Sequence, residues 1–398
     1  MPTISPGRLA IILGTLIALG PQAIDTYLPA LVTMAGHFQV PIHDVEISVS
    51  VYVLGVAAGQ WLGGPFSDQF GRKPVAYIGL VMFVAGSLLI PFASDVEQLY
   101  LLRFLQALGG GATAVIAAAS VRDHFSGKEA ARVLTSIGLV MLLAPLLAPA
   151  IGSFLLHLAG WESIFFMLAL YGLLLALVVA FLLPKVPSQG GEEPLRKRLF
   201  TSYGRVIRQR RAMGFILANG LSFSAMFTFI TDAAFLYMDY FGLSAAQFPI
   251  AFGANVVTML AMNRLNVVLL RYYDTAAIMR VGLMIQSSAA VILLALAVTG
   301  FLTLWMVIPL IMVVCGMMAL VMPNGIACFL SLFERDSGAA TGLNGALQFL
   351  LAGIVGTVLG TLHNGTPLPM TLLMVIASVA ALALFLLLTP EKHSAPRH

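Results

Sequence analysis

The sequence predicts an all-α integral membrane protein with twelve transmembrane helices in two groups of six. Three observations carry this. Of the 398 residues, 60% are hydrophobic and only 10% charged, with a mean hydropathy of +0.97; soluble domains carry about 25% charge, so these charges could not cover a soluble surface. The apolar residues gather into runs of the roughly 20 residues that cross a bilayer. The lysines and arginines, all but Arg103, lie in or close to the edges of alternate connections between those runs. The same features exclude a disordered chain, and the runs are too long and too uniformly apolar for barrel strands. A net charge of +4 is no nucleic-acid footprint, because the basic residues sit in short loops between apolar runs.

The first six runs fall at 9–33, 46–66, 74–93, 98–120, 131–156 and 161–183. Run one is too long for a signal peptide, is interrupted by Asp25 and has no cleavage site after it. The second six fall at 213–238, 246–270, 277–299, 303–329, 339–362 and 367–388. Between the sets lies one polar stretch, which opens with Pro184, Pro187, Ser188, Gly190 and Gly191 and becomes basic and amphipathic. The expected organisation is a bundle over 1–184, a linker over 185–211 lying on the anionic inner leaflet, and a second bundle over 212–398. The two cysteines, Cys315 and Cys328, share one run thirteen positions apart, too far for a disulfide; they read as buried thiols.

Orientation follows from charge. The connections 36–45, 94–97, 157–160, 239–245, 300–302 and 363–366 contain no lysine or arginine. The alternate connections carry Arg72, Lys73, Arg122, Lys128, Arg132, Arg271 and Arg335, and the linker carries eight basic residues against Glu192 and Glu193. With Arg8 before the first run and Lys392 and Arg397 after the last, both termini and the linker are expected on the cytoplasmic side.

Charges inside spans are costly and mark function. Asp25 lies 17 residues past Arg8, about 25 Å along a helix, which places it beyond the midplane. Arg103, a few residues into the fourth run, is expected at a comparable depth and able to pair with Asp25 or share its cavity. Asp232, near the far end of the seventh run, reads either as a carboxylate in water at a helix end or as a second titratable group at a cavity mouth. Gln60, Gln106, Asn255, Asn344 and Gln348 serve equally as ligands or as interhelical hydrogen bonds. Phe223, Met226, Phe227 and Phe229 form a stripe that suits packing or an apolar ligand, and Gly109-Gly110-Gly111 permits close helix contact.

The loop Gly64-Pro65-Phe66-Ser67-Asp68-Gln69-Phe70-Gly71-Arg72-Lys73-Pro74 has the spacing Gly-x-x-x-Asp-x-x-Gly-Arg-Lys and resembles the signature loop of the major facilitator superfamily. The resemblance implies a major facilitator fold and a cytoplasmic latch made by Gly64, Asp68, Gly71, Arg72 and Lys73, with Asp123 after Arg122 as the partner of Arg72. Arg103-Phe104-Leu105-Gln106-Ala107-Leu108-Gly109 is similar to the family's Arg-x-x-Gln-x-x-Gly motif, in which the arginine is linked to proton coupling. Gly138, Pro145, Pro149 and Gly152 resemble the antiporter motif of its drug exporters, with Ala148 and Ser153 departing from the usual glycines. Asp25-Thr26-Tyr27-Leu28-Pro29-Ala30-Leu31 resembles the bicyclomycin/chloramphenicol-resistance (Bcr/CflA) branch of drug:proton antiporters, although Asp232-Ala233-Ala234 departs from it.

The resemblance therefore implies a proton-coupled exporter of small, largely apolar molecules in the bacterial inner membrane, and Asp25, Arg103 and Asp232 are expected to take part in proton coupling, Arg103 without itself releasing a proton. Tyr27, Tyr52, Gln106, Phe223, Met226, Phe227, Asn255, Asn344 and Gln348 are expected around the substrate. Export of a cellular metabolite (amino acid, nucleoside or siderophore) and proton-coupled uptake are the alternatives. The expected partners are the substrate, protons and lipid, with no nucleic acid and a monomeric protein. No P-loop, Gly-x-Ser-x-Gly or His-Glu-x-x-His pattern is present, so neither ATP drive, an enzyme, a metal nor a cofactor is expected beyond the proton gradient.

Overall fold

The computed structural model describes residues 6–124, 127–182, 204, 206–333 and 337–389, with side chains except at 6–10, 68, 118–119, 121–124, 127–132, 134–136, 138–143, 182 and 337–340. Every regular element among these residues is helical.

Span one is built from α1 (Pro6–Asp25), a 3-10 turn (Leu28–Ala30) and α2 (Leu31–Phe38). Pro29 explains the interruption. It has no N–H to offer the carbonyl four residues earlier, and that carbonyl belongs to Asp25, the last residue of α1. The chain recovers through Ala30 N–H to Tyr27 O at 2.9 Å and runs on to Gln39, whose φ of 55° ends α2 just before Pro41. Span one thus reaches from residue 11 to 38 rather than stopping near 33. Asp25 accordingly stands near the middle of this stretch.

The following helices are α3 (Ile42–Phe70), α4 (Arg72–Leu89), α5 (Val96–His124), α6 (Gly127–Ala159) and α7 (Glu162–Leu182). Gly71 turns the chain between α3 and α4 at φ 94°, a conformation open to glycine alone at little cost. The second set comprises α8 (Arg210–Ala234), a π-helical turn (Phe235–Tyr240), α9 (Phe248–Leu269), α10 (Thr275–Thr299), α11 (Leu304–Leu330), α12 (Ser337–Leu362) and α13 (Leu368–Leu388). Among the described residues eleven helices are long and apolar enough to cross a membrane, with span one counted once. The 33-residue α6 stands at the fifth position, between α5 and α7.

Helices before residue 183 pack mainly on one another, α3 on α5, α4 on α5 and α7, and α1 on α6; those after 209 do the same, α8 on α13 and α12, and α11 on α9 and α10. In lipid there is no hydrophobic force between helices, so close backbone approach decides packing. The run Gly109-Gly110-Gly111 serves that purpose: Gly109 meets the Gly79 backbone and Gly111 meets Val56. Two seams join the groups, α3 along α12 and α6 against α9. In the larger seam Gly345, Gly353, Gly356 and Gly360 of α12 receive Gln60, Leu54, Ser50 and Ile47 of α3. The falling and rising numbers show antiparallel helices in contact along most of their length. One end of this bundle carries the connections with Arg72, Lys73 and Arg271, and is called the basic end below. The connections at the opposite end hold no lysine or arginine.

Candidate functional site

The break in span one is the first site. Asp25 is 5% exposed and makes no hydrogen bond or ion pair among the described residues. Its neighbours in the break are held from both sides: Thr26 Oγ1 donates to Gln22 Oε1 at 3.0 Å, and the Tyr27 hydroxyl shares a 2.9 Å hydrogen bond with Ser48 of α3. On the other flank Gly152 of α6 lies so close to the Thr26 carbonyl that a Cβ there would overlap it. The glycine of the antiporter-like motif therefore seats the break itself. Pro149 and Ala148 are buried one turn before it, whereas the side-chain surroundings of Gly138 lie outside the described residues.

Arg103 does not pair with Asp25. Its guanidinium is fully buried; Nη1 donates to Gln106 Oε1 at 2.6 Å and Nη2 to the Ala23 carbonyl at 3.1 Å. The Tyr27 and Tyr52 rings lie 4.2 Å from it on centroid distance, an arrangement in which ring quadrupoles hold the cation. Gln106 passes its own Nε2 hydrogen to Ser87 Oγ at 2.7 Å. With Nη1, Nη2 and its ring contacts engaged in this way, while the buried Nε has no partner among the described residues, Arg103 holds the end of α1 through a backbone carbonyl two residues before Asp25. The ion pair expected from sequence is thereby corrected to a shared depth without contact. Three residues expected around substrate, Tyr27, Tyr52 and Gln106, surround Arg103, and the Tyr52 hydroxyl has no hydrogen bond among the described residues.

The second site was not visible in the sequence. Glu46 of α3, Asp232 of α8 and His363 just past α12 each present one atom within 4.8 Å of the others. Glu46 and Asp232 are each 2% exposed, so Asp232 is not a helix-end carboxylate in water. Glu46 Oε1 accepts a 3.0 Å hydrogen bond from the Phe235 N–H, where α8 gives way to the π-helical turn. Asp232 Oδ1 lies 3.9 Å from His363 Nδ1. His43 stacks on His363 at 4.7 Å, and burial, seconded by His43, holds the His363 imidazole below the usual histidine range against the pull of Asp239. Beside this cluster, at the end opposite the basic one, is a cavity of about 660 Å³ lined by His43, Phe235, Asp239, Tyr240, His363 and Asn364, among others. Nothing in the spacing of Glu46 and His363 announces the meeting; α3 starts four residues before the apolar run expected there, which turns Glu46 from an edge residue into a buried one.

The remaining candidates group by contact. Phe223 packs on Phe227 at 5.9 Å and on Phe349 of α12 at 5.4 Å, with Met226 buried nearby in sequence. Phe229 packs on Tyr237 at 5.7 Å and on Phe252 at 5.9 Å, which makes it part of the α8–α9 core. Asn255, Asn344 and Gln348 are buried, and polar atoms of Asn255 and Asn344 have no hydrogen-bond partner, as do Ser50 Oγ and Thr231 Oγ1 near the larger seam. Buried polar groups of this kind are costly unless something binds them. In the loop at the basic end, Arg72 Nη1 donates to Ser67 Oγ at 2.6 Å and Ser67 Oγ to the Gly64 carbonyl at 2.7 Å. The side chains of Asp68, Arg122 and Asp123 lie outside the described residues. Cys315 is buried and Cys328 half-buried, where it meets Thr275 Oγ1 at 3.0 Å.

Comparison with known proteins places this geometry. Residues 11–357 match the profile of the Major Facilitator Superfamily. The chain is 31% identical over 375 residues to the bicyclomycin resistance protein homolog of Haemophilus influenzae, covering 93% of this chain and 94% of that protein. It is 25% identical over 379 residues to the multidrug resistance protein MdtL of Vibrio parahaemolyticus, covering 95% of each. Among solved structures, the xylose transporter XylE from E. coli, in a partially occluded inward open conformation, superposes with a TM-score of 0.73 at 14% identity over 99% of both chains.

Proposed function

The chain belongs to the major facilitator superfamily, and on that premise we propose that it exports small, largely apolar compounds in exchange for protons across the bacterial inner membrane. The observation that carries the proposal is Asp25: a carboxyl buried at mid-span, at an interruption of the helix, without a fixed ionic partner. A group so placed can gain and lose a proton as its surroundings change, which a carboxylate locked to Arg103 could not do as readily. Broken helices at mid-membrane are where transporters of several folds place their sites. The printed names of the relatives, bicyclomycin resistance and multidrug resistance, support drug-like substrates. The seating of the break on Gly152 supports exchange, because movement of α6 is transmitted to the backbone beside Asp25.

In this reading the basic end faces the cytoplasm, both termini included. The protein alternates as a monomer between states open to either side, with the groups before residue 183 and after residue 209 rocking about the two seams. Protons and substrate load the same interior in turn, and the loop at 64–74 latches the cytoplasmic side. The test is a panel of drugs and metabolites in sealed vesicles with an imposed pH gradient. Uptake into inverted vesicles that collapses with the gradient supports the proposal. Accumulation that follows the substrate in the same direction as protons would replace it with symport.

A further inference from the structure

We propose that Glu46, Asp232 and His363 form a binding site for a zinc-class divalent cation at the outer end of the larger seam, held by both helix groups together. The donor set is two carboxylates and one imidazole, each offering an atom within 4.8 Å of the other two. Metal–ligand bonds near 2.0–2.2 Å would set tetrahedral ligands about 3.4 Å apart, so from the present 3.9 Å between Asp232 and His363 only small side-chain rotations are needed. Imidazole nitrogen with carboxylate oxygen suits zinc, cobalt or nickel and disfavours magnesium and calcium, which take oxygen ligands.

A second observation points to a ligand independently of the cluster's composition. Asp232 is 98% hidden from solvent by its 2% exposure, makes no hydrogen bond among the described residues, and directs its carboxylate into the set. Two buried carboxyls that face one another are settled either by protonation or by a cation between them, and no lysine or arginine occupies the connections at this end to serve as that cation. An approach also exists: the adjoining 660 Å³ cavity is lined by Asp239 and His43 and leaves room for a water as fourth ligand.

The ligands fix the consequence. Glu46 belongs to α3, while Asp232 and His363 belong to α8 and the end of α12. A bound cation ties the two groups together where they must part for the outer side to open.

The experiment titrates the purified full-length protein, without an affinity tag, with Zn²⁺ by calorimetry, and with Co²⁺ while reading its visible absorption. The expected result is one Zn²⁺ per chain at this site, about tenfold or more weaker binding in Glu46→Gln, Asp232→Asn and His363→Gln, and a Co²⁺ spectrum that changes in His363→Gln. Asp232→His supplies another zinc ligand at the same place and should retain binding, which a merely structural disturbance would not allow. Should Asp232→Asn fail to fold, the more exposed His363→Gln decides. A wild-type protein with no stoichiometric site, or variants that bind as the wild type does, would overturn the proposal.

Discussion

At the scale of single residues, two buried charges in neighbouring places have opposite jobs. Asp25 has no side-chain hydrogen-bond or ionic partner among the described residues, whereas Arg103 is held by two hydrogen bonds and two aromatic rings. Asp25→Asn should therefore reduce gradient-driven efflux to background while leaving insertion and the unfolding temperature in detergent near wild type; counterflow of substrate without a gradient distinguishes lost coupling from lost binding. Arg103→Ala should instead destabilise the protein by about 3 kcal/mol, since hydrogen bonds to a buried charge are each worth more than neutral ones, and Arg103→Lys should recover only part of it because an ammonium lacks the planar fork. The pH dependence of transport should keep its midpoint in Arg103→Lys; a midpoint moved by a full unit would restore the direct pair with Asp25. Both residues were legible in the sequence because a charge in an apolar run is conspicuous. Their relation was not, since run length alone misjudges depth when a proline-broken span continues as far as Phe38. Glu46 and His363 escaped for a different reason: each looks like an ordinary end-of-helix residue until three elements bring them to Asp232.

Among elements, the broken first span and α6 act as a pair. Pro29 leaves the Asp25 carbonyl without its helical donor, and Gly152 leaves room for the Thr26 carbonyl beside it. Gly152→Ala places a methyl against backbone that cannot yield, and overpacking of that kind costs about 1–3 kcal/mol. The expected outcome is an inserted protein whose transport is slowed at least tenfold, measured as initial efflux rate at equal abundance in the membrane. Pro29→Ala gives the carbonyl a donor and should lengthen α1; slower amide exchange at residues 26–30 checks it. The motif spacing on α6 announced its small residues and prolines. What they face could not be read, because a glycine's use depends on the neighbour that the fold supplies.

For the whole molecule, the family, helix count and all-helical architecture followed from composition, run length and the loop at 64–74, features that depend on the bilayer and not on tertiary detail. The latch itself is the place to test alternating access. Asp68→Asn should slow transport and shift the accessibility of single cysteines placed toward the two sides, while substrate affinity in the exposed interior changes by no more than several-fold. A large affinity loss with unchanged accessibility would assign Asp68 to binding. The same accessibility assay reports on the far side, where Ser153 of α6 donates a 2.7 Å hydrogen bond to the Ala245 carbonyl and Glu46 accepts from Phe235.

The glycines of α12 have a consequence for turnover. At Gly345, Gly353, Gly356 and Gly360, α12 offers backbone rather than side chain to the larger seam. A side chain that is mobile in the open seam must be frozen at each closure, at up to about 2 kcal/mol for a long one. Glycine has no rotamer to freeze. If the seam opens and closes during transport as proposed, its closure carries little entropic penalty on the α12 side, and that penalty falls instead on the α3 side chains that face it.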